Sequence, residues 1–233
     1  SWQATSDQAF AFLGNQVAMA GDLDGDGIGD LAVAAWQWDG DFANEGLVRV
    51  YFGAEDGLAD EPDWVATGGQ DGAGLGTRVV GLGDLNADGF DDLAISAPGW
   101  DLDPDTDDEV EDVGMVLVYA GSDSGLPASP TWSYVGEIEG ERLGDAIAAA
   151  GDVHNDGFDD LLIGAPMHTV AVAEEGAAWL YSGSAAGPGA TASWQTEGAQ
   201  EAAHMGATLG GAGDLDGDGF ADVVVAEPHF DGA

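Results

Sequence analysis

Four short stretches of this sequence set carboxylates at one fixed spacing. They read Asp22-Leu23-Asp24-Gly25-Asp26-Gly27-Ile28-Gly29-Asp30, Asp84-Leu85-Asn86-Ala87-Asp88-Gly89-Phe90-Asp91-Asp92, Asp152-Val153-His154-Asn155-Asp156-Gly157-Phe158-Asp159-Asp160 and Asp214-Leu215-Asp216-Gly217-Asp218-Gly219-Phe220-Ala221-Asp222. Side-chain donors at positions 1, 3, 5 and 9, the backbone carbonyl of Ile28, Phe90, Phe158 or Phe220 at position 7, and a glycine at position 6 for the sharp turn form a cage for a hard divalent cation. The third loop departs from the pattern, because His154 is a poor ligand for Ca2+; water replaces it there, or the site is weak. The alternative is a solvated acidic turn without metal, but carboxylates crowded into one partly desolvated loop repel one another strongly. An EF-hand needs a glutamate at position 12 and flanking helices. Here position 12 is Val33, Ile95, Ile163 or Val225, so the ligand set closes at position 9 and the loop belongs in a β-hairpin.

The elements that hold these loops follow from their register. Trp2, Trp64, Trp132 and Trp194 each stand 20 residues before the first aspartate of a loop, and Gly14, Gly76, Gly144 and Gly206 stand eight residues before it. The unit recurs at intervals of 62, 68 and 62 residues, and self-similarity of this kind marks solenoids and propellers. After each loop comes a short apolar run, Leu31 to Ala35, Leu93 to Ala97, Leu161 to Ala165 and Val223 to Ala226, which reads as a buried strand. A third strand ends at Tyr51, Tyr119 and Tyr181, and the next tryptophan lies on a fourth. Four antiparallel strands per repeat make the blade of a β-propeller. The fold class is therefore all-β, with about three and a half to four blades, in repeats near 2–63, 64–131, 132–193 and 194–233.

The matching segments run from Leu13-Gly14 through Asp30, Leu75-Gly76 through Pro98, Leu143-Gly144 through Pro166 with Gly164-Ala165-Pro166 intact, and Met205-Gly206 through Pro228. This pattern resembles the FG-GAP repeat of integrin α subunits and of many bacterial surface proteins. The resemblance implies a propeller, usually seven-bladed, with Ca2+ in the hairpin loops of one face, about four ions for these loops, and ligand recognition on the opposite face. It also implies an extracellular or cell-surface setting. The last repeat stops at Asp231-Gly232-Ala233, before its third strand. Ser1 to Ala4 supplies an outer strand that a closing blade could use, so a four-bladed ring, self-association into a two-chain ring and a part of a longer propeller are all open, the last being favoured.

Composition narrows the partners. The chain has 45 Asp plus Glu against three arginines, Arg49, Arg78 and Arg142, and no lysine, for a formal net charge of −42. Such a surface repels phosphate, which argues against nucleic acid and anionic membrane. No apolar run approaches the ~20 residues of a membrane span, and the N-terminal residues resemble no signal peptide. Salt adaptation is a rival account of the acidity. Hydrophobic residues at 45%, with eight Trp, eight Phe and four Tyr, are enough for a core. There is no Cys, so redox chemistry says nothing of compartment.

All length variation falls between the second and third strands, where the second repeat carries six extra residues. Variable loops on a rigid scaffold tend to carry function. These loops hold Phe42 and the candidate anchors Trp36, Trp38 and Trp100, which either meet a protein or glycan ligand or pack against neighbouring loops. The acidic insert from Asp101 to Glu109 reads as a solvated loop, with a further cation as its alternative. His154, His168, His204 and His229 have no zinc spacing, and Gly121 to Gly125 has no central serine nucleophile. The chain is thus expected to be a non-enzymatic adhesion or protein-interaction module, with a lectin-like propeller or a structural spacer as alternatives.

Overall fold

The computed structural model describes residues 2–6, 8–102 and 110–232; most of the acidic insert, residues 103–109, lies outside them. Fourteen strands are present among the described residues. The first blade comprises β1 (Gln16–Gly21), β2 (Asp30–Ala35), β3 (Leu47–Tyr51) and β4 (Trp64–Thr67). The second comprises β5 (Arg78–Gly83), β6 (Asp92–Ala97), β7 (Met115–Tyr119) and β8 (Trp132–Val135), and the third β9 (Ala146–Gly151), β10 (Asp160–Ala165), β11 (Ala177–Tyr181) and β12 (Trp194–Glu197). A two-stranded sheet of β13 (Thr208–Gly213) and β14 (Asp222–Ala226) follows. Every sheet is antiparallel with its strands in chain order, the meander of a propeller blade.

Burial follows strand position. β6 and β10 are buried along both faces and β2 nearly so, which suits their Leu, Ala, Val and Ile content, interrupted after the leading aspartate only by Ser96 in β6 and Gly164 in β10. The outer strands β4 and β8 are partly exposed, with Trp64 and Trp132 on their half-buried side. The inner strands β1, β5, β9 and β13 lie side by side around the axis. Gly81 permits this closeness, since a Cβ there would come within 2.7 Å of the Met19 carbonyl oxygen. Apolar side chains between adjacent blades form continuous clusters, one joining Ala32, Val48 and Val50 to Leu93, Ile95 and Leu117.

Two contacts repeat at each blade junction, and they explain the motif residues. The segment before each inner strand clamps to the previous blade: Leu75 N–H donates to the Glu45 carbonyl at 2.9 Å, Leu143 N–H to Val113 at 3.0 Å and Met205 N–H to Glu175 at 3.0 Å. Gly76, at φ +88°, then donates to the Ser96 carbonyl at 2.9 Å, and a Cβ on it would strike the Ala34 and Val48 side chains of the previous blade. At the outer rim, Trp2, Trp64 and Trp132 each meet a tyrosine of the adjoining blade edge-on. Trp64 lies 4.8 Å from Tyr119 and Trp132 lies 5.2 Å from Tyr181, while their indole N–H groups donate to Pro127 and Gly189 carbonyls. Trp2 makes the same contact with Tyr51 at 4.8 Å. Trp194 is 41% exposed.

This difference sets the first prediction. Trp64→Ala removes an inter-blade contact and should lower stability by roughly 3 kcal/mol, the low end of a buried aromatic truncation. Trp194→Ala should change it by no more than about 0.5 kcal/mol, as at an ordinary surface position. Urea unfolding followed by tryptophan fluorescence and circular dichroism checks both, and equal losses would overturn the rim contact as a source of stability.

Candidate functional site

The four acidic loops connect β1 to β2, β5 to β6, β9 to β10 and β13 to β14, so all lie on one face of the fan. Their backbone folds around their own carboxylates. Asp22 accepts the N–H groups of Gly25 at 2.8 Å and Gly27 at 2.9 Å, and Asp84, Asp152 and Asp214 do the same for Gly89, Gly157 and Gly219 at 2.9, 2.8 and 2.9 Å. Position 5 accepts the N–H of position 7, as in Asp26 to Ile28 at 2.7 Å and Asp218 to Phe220 at 3.0 Å. The turn needs positive φ at position 6, and Gly27, Gly89, Gly157 and Gly219 have φ of 88°, 96°, 90° and 95°.

Position 9 is the first residue of the second strand, and its carboxylate is buried in the three complete blades. Asp30 accepts from Leu23 N–H at 2.7 Å and Gly53 N–H at 2.8 Å; Asp92 accepts from Leu85 and Gly121, and Asp160 from Val153 and Gly183. One side chain thus ties the loop to the exit of the third strand. Burial, opposed by these hydrogen bonds and reinforced by neighbouring aspartates, pushes Asp30 and Asp92 up to about 6 from an ordinary 3.8. Asp222 accepts from Leu215 alone and is half-buried.

The donor chemistry suits a hard cation best in the first and last loops. Carboxylate oxygens of Asp22, Asp24 and Asp30 lie within 4.8 Å of one another, as do those of Asp214, Asp216 and Asp218. Among the described residues none of these carboxylates has an arginine partner. In the second loop Asn86 offers its amide oxygen, which accepts from Asp88 N–H at 2.9 Å. The third loop turns its imidazole inward: His154 Nδ1 lies 3.1 Å from Asp160 Oδ2 and 3.2 Å from Ser182 Oγ.

Sequence reading missed the links between loops. Asp91 N–H donates to the Asp22 carbonyl at 3.0 Å while Asp22 N–H donates to the Asp91 carboxylate at 2.8 Å. Asp159 N–H reaches the Asp84 carbonyl at 3.5 Å, and Ala221 N–H reaches Asp152 at 3.1 Å. Phe90 lies over Gly25 of the neighbouring loop. Position 8 is therefore the junction residue, and acidic residues there in two loops were the only hint.

The opposite face separates the three tryptophans. Trp38 packs on Ala11, Ala35 and Leu47, and Trp100 on the cluster shared by the first two blades. Trp36 stacks on Phe12 at 6.3 Å and lines an open cleft of about 330 Å³ with Gly72, Thr77, Arg78, Asp112 and Arg142.

A blade with this clamp, this glycine and this acidic hairpin defines a repeat class, and the FG-GAP repeat model matches residues 76–119, 143–181 and 205–233. The chain is an FG-GAP repeat propeller of integrin α-like type. It is 37% identical over 150 residues to integrin alpha-5 of Xenopus laevis, covering 63% of this chain and 14% of that one. It is 32% identical over 216 residues to integrin alpha pat-2 of Caenorhabditis elegans, covering 88% of this chain and 17% of that relative. The chain thus spans about a sixth of the length of these relatives. Among solved structures it is similar to the Bacillus licheniformis rhamnogalacturonan lyase PL11, with TM-score 0.56, 16% identity, and coverage of 89% of this chain and 39% of the lyase. The exotype rhamnogalacturonan lyase YesX gives TM-score 0.54 at 18% identity, with 89% and 38% covered. These structures correct the expectation of a non-enzymatic module, because the same fold is found in lyases; at such identity the likeness is one of fold alone.

The raised carboxylates predict a pH response. Asp30 and Asp92 bind protons more tightly folded than unfolded, so in chelator their contribution to stability is full below about pH 3.8 and is lost as pH rises through about 6. The chelated protein should melt at a higher temperature at pH 5 than at pH 7, and Asp92→Asn should flatten that slope; thermal scans across this range check it. A slope of opposite sign would overturn the assignment.

Proposed function

We propose that this chain is a calcium-binding recognition module of an extracellular or cell-surface protein, in which the cation loops stiffen one face and the variable loops of the other meet a protein partner. The observation that carries this reading is the convergence of Asp22 and Asp24 on the buried carboxylate of Asp30, an all-oxygen set with no compensating arginine among the described residues. Similarity to integrin α chains supports the adhesive role.

In the proposed sites Asp22, Asp24, Asp26, the Ile28 carbonyl and Asp30 hold one ion, with Asp84, Asn86, Asp88, Phe90 and Asp92, and Asp214, Asp216, Asp218, Phe220 and Asp222 as counterparts. Asp152, Asp156, Phe158 and Asp160 form the weaker third site beside His154. A bound divalent cation offsets carboxylate repulsion within the loop. The chain's own contribution is to orient the oxygens through the N–H groups that each carboxylate already accepts. The four repeats are read as part of a longer propeller. Val17 on β1 is 55% exposed and Val224 on β14 54% exposed, whereas the equivalent Val79 and Leu162 are covered by an adjacent blade at 3% and 0%.

Calcium titration after chelator treatment tests the reading. Calcium should raise the melting temperature, by mass action on the folded state, with about 2.7 kcal/mol gained per site at a hundredfold excess over Kd. Asp26→Ala or Asp218→Ala should weaken calcium binding more than His154→Ala. No binding heat and an unchanged melting temperature would sink the metal assignment, and His154→Ala as the most damaging change would reverse the ranking of the sites.

A further inference from the structure

Three arginines are the whole basic complement of this chain, since it has no lysine, and two of them line one cleft. Arg78 opens β5, an inner strand, and Arg142 sits in the connection between β8 and β9; both project at the mouth opposite the acidic loops. Their states differ. Arg142 is held by Asp145, at 3.1 Å from Nε and 3.2 Å from Nη2, with Asp112 at 3.7 Å. Arg78 donates to the Thr77 carbonyl at 3.1 Å and, among the described residues, has no carboxylate within 4.0 Å. A guanidinium presents a planar fork of five donors, and a single backbone contact leaves most of that fork unused. Beside it stands the Trp36 ring, fixed by Phe12, over a floor that includes Gly72, Gly74 and Gly99.

We propose that the cleft between Arg78, Arg142 and Trp36 binds a single carboxylate carried by a protein segment whose neighbouring residues are basic. Two terms select this ligand. The Arg78 fork matches a carboxylate bidentately, and a charge-assisted pair of that kind is about twice as strong as a neutral hydrogen bond. At the edge of the cleft the charge reverses: Asp112 stands half-exposed beside Arg142, and the chain as a whole has a net charge of −42, so a ligand that extends out of the cleft meets an acidic surface. A polyanion gains at Arg78 and loses along the rest of its length. A segment with one carboxylate and flanking lysines or arginines gains at both places, with half-exposed Asp112 at the rim for a ligand cation. Trp36 offers its face to the aliphatic stem or the cation of the adjacent residue. The inference deepens the reading of the variable-loop face as the partner face and does not depend on calcium occupancy.

The test uses a lysine- and glycine-rich peptide with one central glutamate, its glutamine twin, and an oligogalacturonate as the polyanion, each titrated calorimetrically at physiological salt with calcium present. The unmodified protein should bind the glutamate peptide at least about tenfold more tightly than the glutamine twin, a difference of about 1.4 kcal/mol. Arg78→Gln should abolish that discrimination, and Arg78→Lys should restore only part of it, with melting temperature and calcium heats unchanged in both. Equal binding of the two peptides to the unmodified protein, a result that needs no variant, would overturn the proposal. So would undiminished discrimination in Arg78→Gln, or tighter binding of the oligogalacturonate than of the glutamate peptide, which would assign the cleft to acidic sugar. Discrimination by the peptides in a protein that shows no calcium heat would leave the cleft standing and remove the cation reading alone.

Discussion

A carboxylate buried at the root of each complete acidic hairpin is the constraint on which the rest of this structure turns. Asp30, Asp92 and Asp160 stand at the head of the second strand, inside the blade, where an unpaired charge costs several kcal/mol. Each offsets part of that cost by accepting one N–H from its own loop and one from the glycine just beyond the third strand. The loop cannot move without the hairpin beyond it, and neither can be rebuilt without losing a buried partner. Fixed loop length follows from this geometry. At the opposite ends of the same strands the tether is not common to all blades: buried Glu45 and Glu175 accept N–H groups of the connection in the first and third blades, the second blade has Val113 at that position, and there the connections vary in length.

Much of this was legible in the sequence because it is local. The nine-residue acidic register, the glycine at position 6 and the apolar run after it are contiguous, so hairpin and strand could be read directly. The 20-residue spacing from tryptophan to aspartate also announced four strands per repeat. What spacing could not reveal is which blade a residue serves. Trp64 follows β3 of its own blade in sequence yet packs on Tyr119 of the next. The second blade has Val113 where its neighbours have the buried acids Glu45 and Glu175, and Glu141, from a later connection, accepts from Glu137 and Ile138 N–H and from His168 at 2.6 Å. No periodicity announces an exchange of that kind. The same limit hid the cleft, because Arg78 and Arg142 are far apart in sequence and meet only through the packing of inner strands.

The likeness to rhamnogalacturonan lyases is one of framework, and a framework by itself specifies no chemistry. Blade junctions here are made by backbone clamps, a glycine and an aromatic pair, none of which specifies a ligand. Trp38 and Trp100 illustrate the division: both lie in variable loops, yet their rings finish hydrophobic clusters, whereas Trp36 lines the cleft. Aromatic residues in such loops do two jobs, and only packing tells them apart.

The backbone links between successive acidic loops give the fan a property that no single hairpin has. Each joins the carbonyl of one loop's first aspartate to the N–H of the next loop's eighth residue, so adjacent hairpins share an atom-level boundary. The set then behaves as a one-dimensional lattice with nearest-neighbour coupling. Ordering one hairpin lowers the entropy still to be lost by its neighbour, and the effect decays with distance along the row. Stiffness on that face is accordingly a collective quantity of linked hairpins and not the property of any one loop.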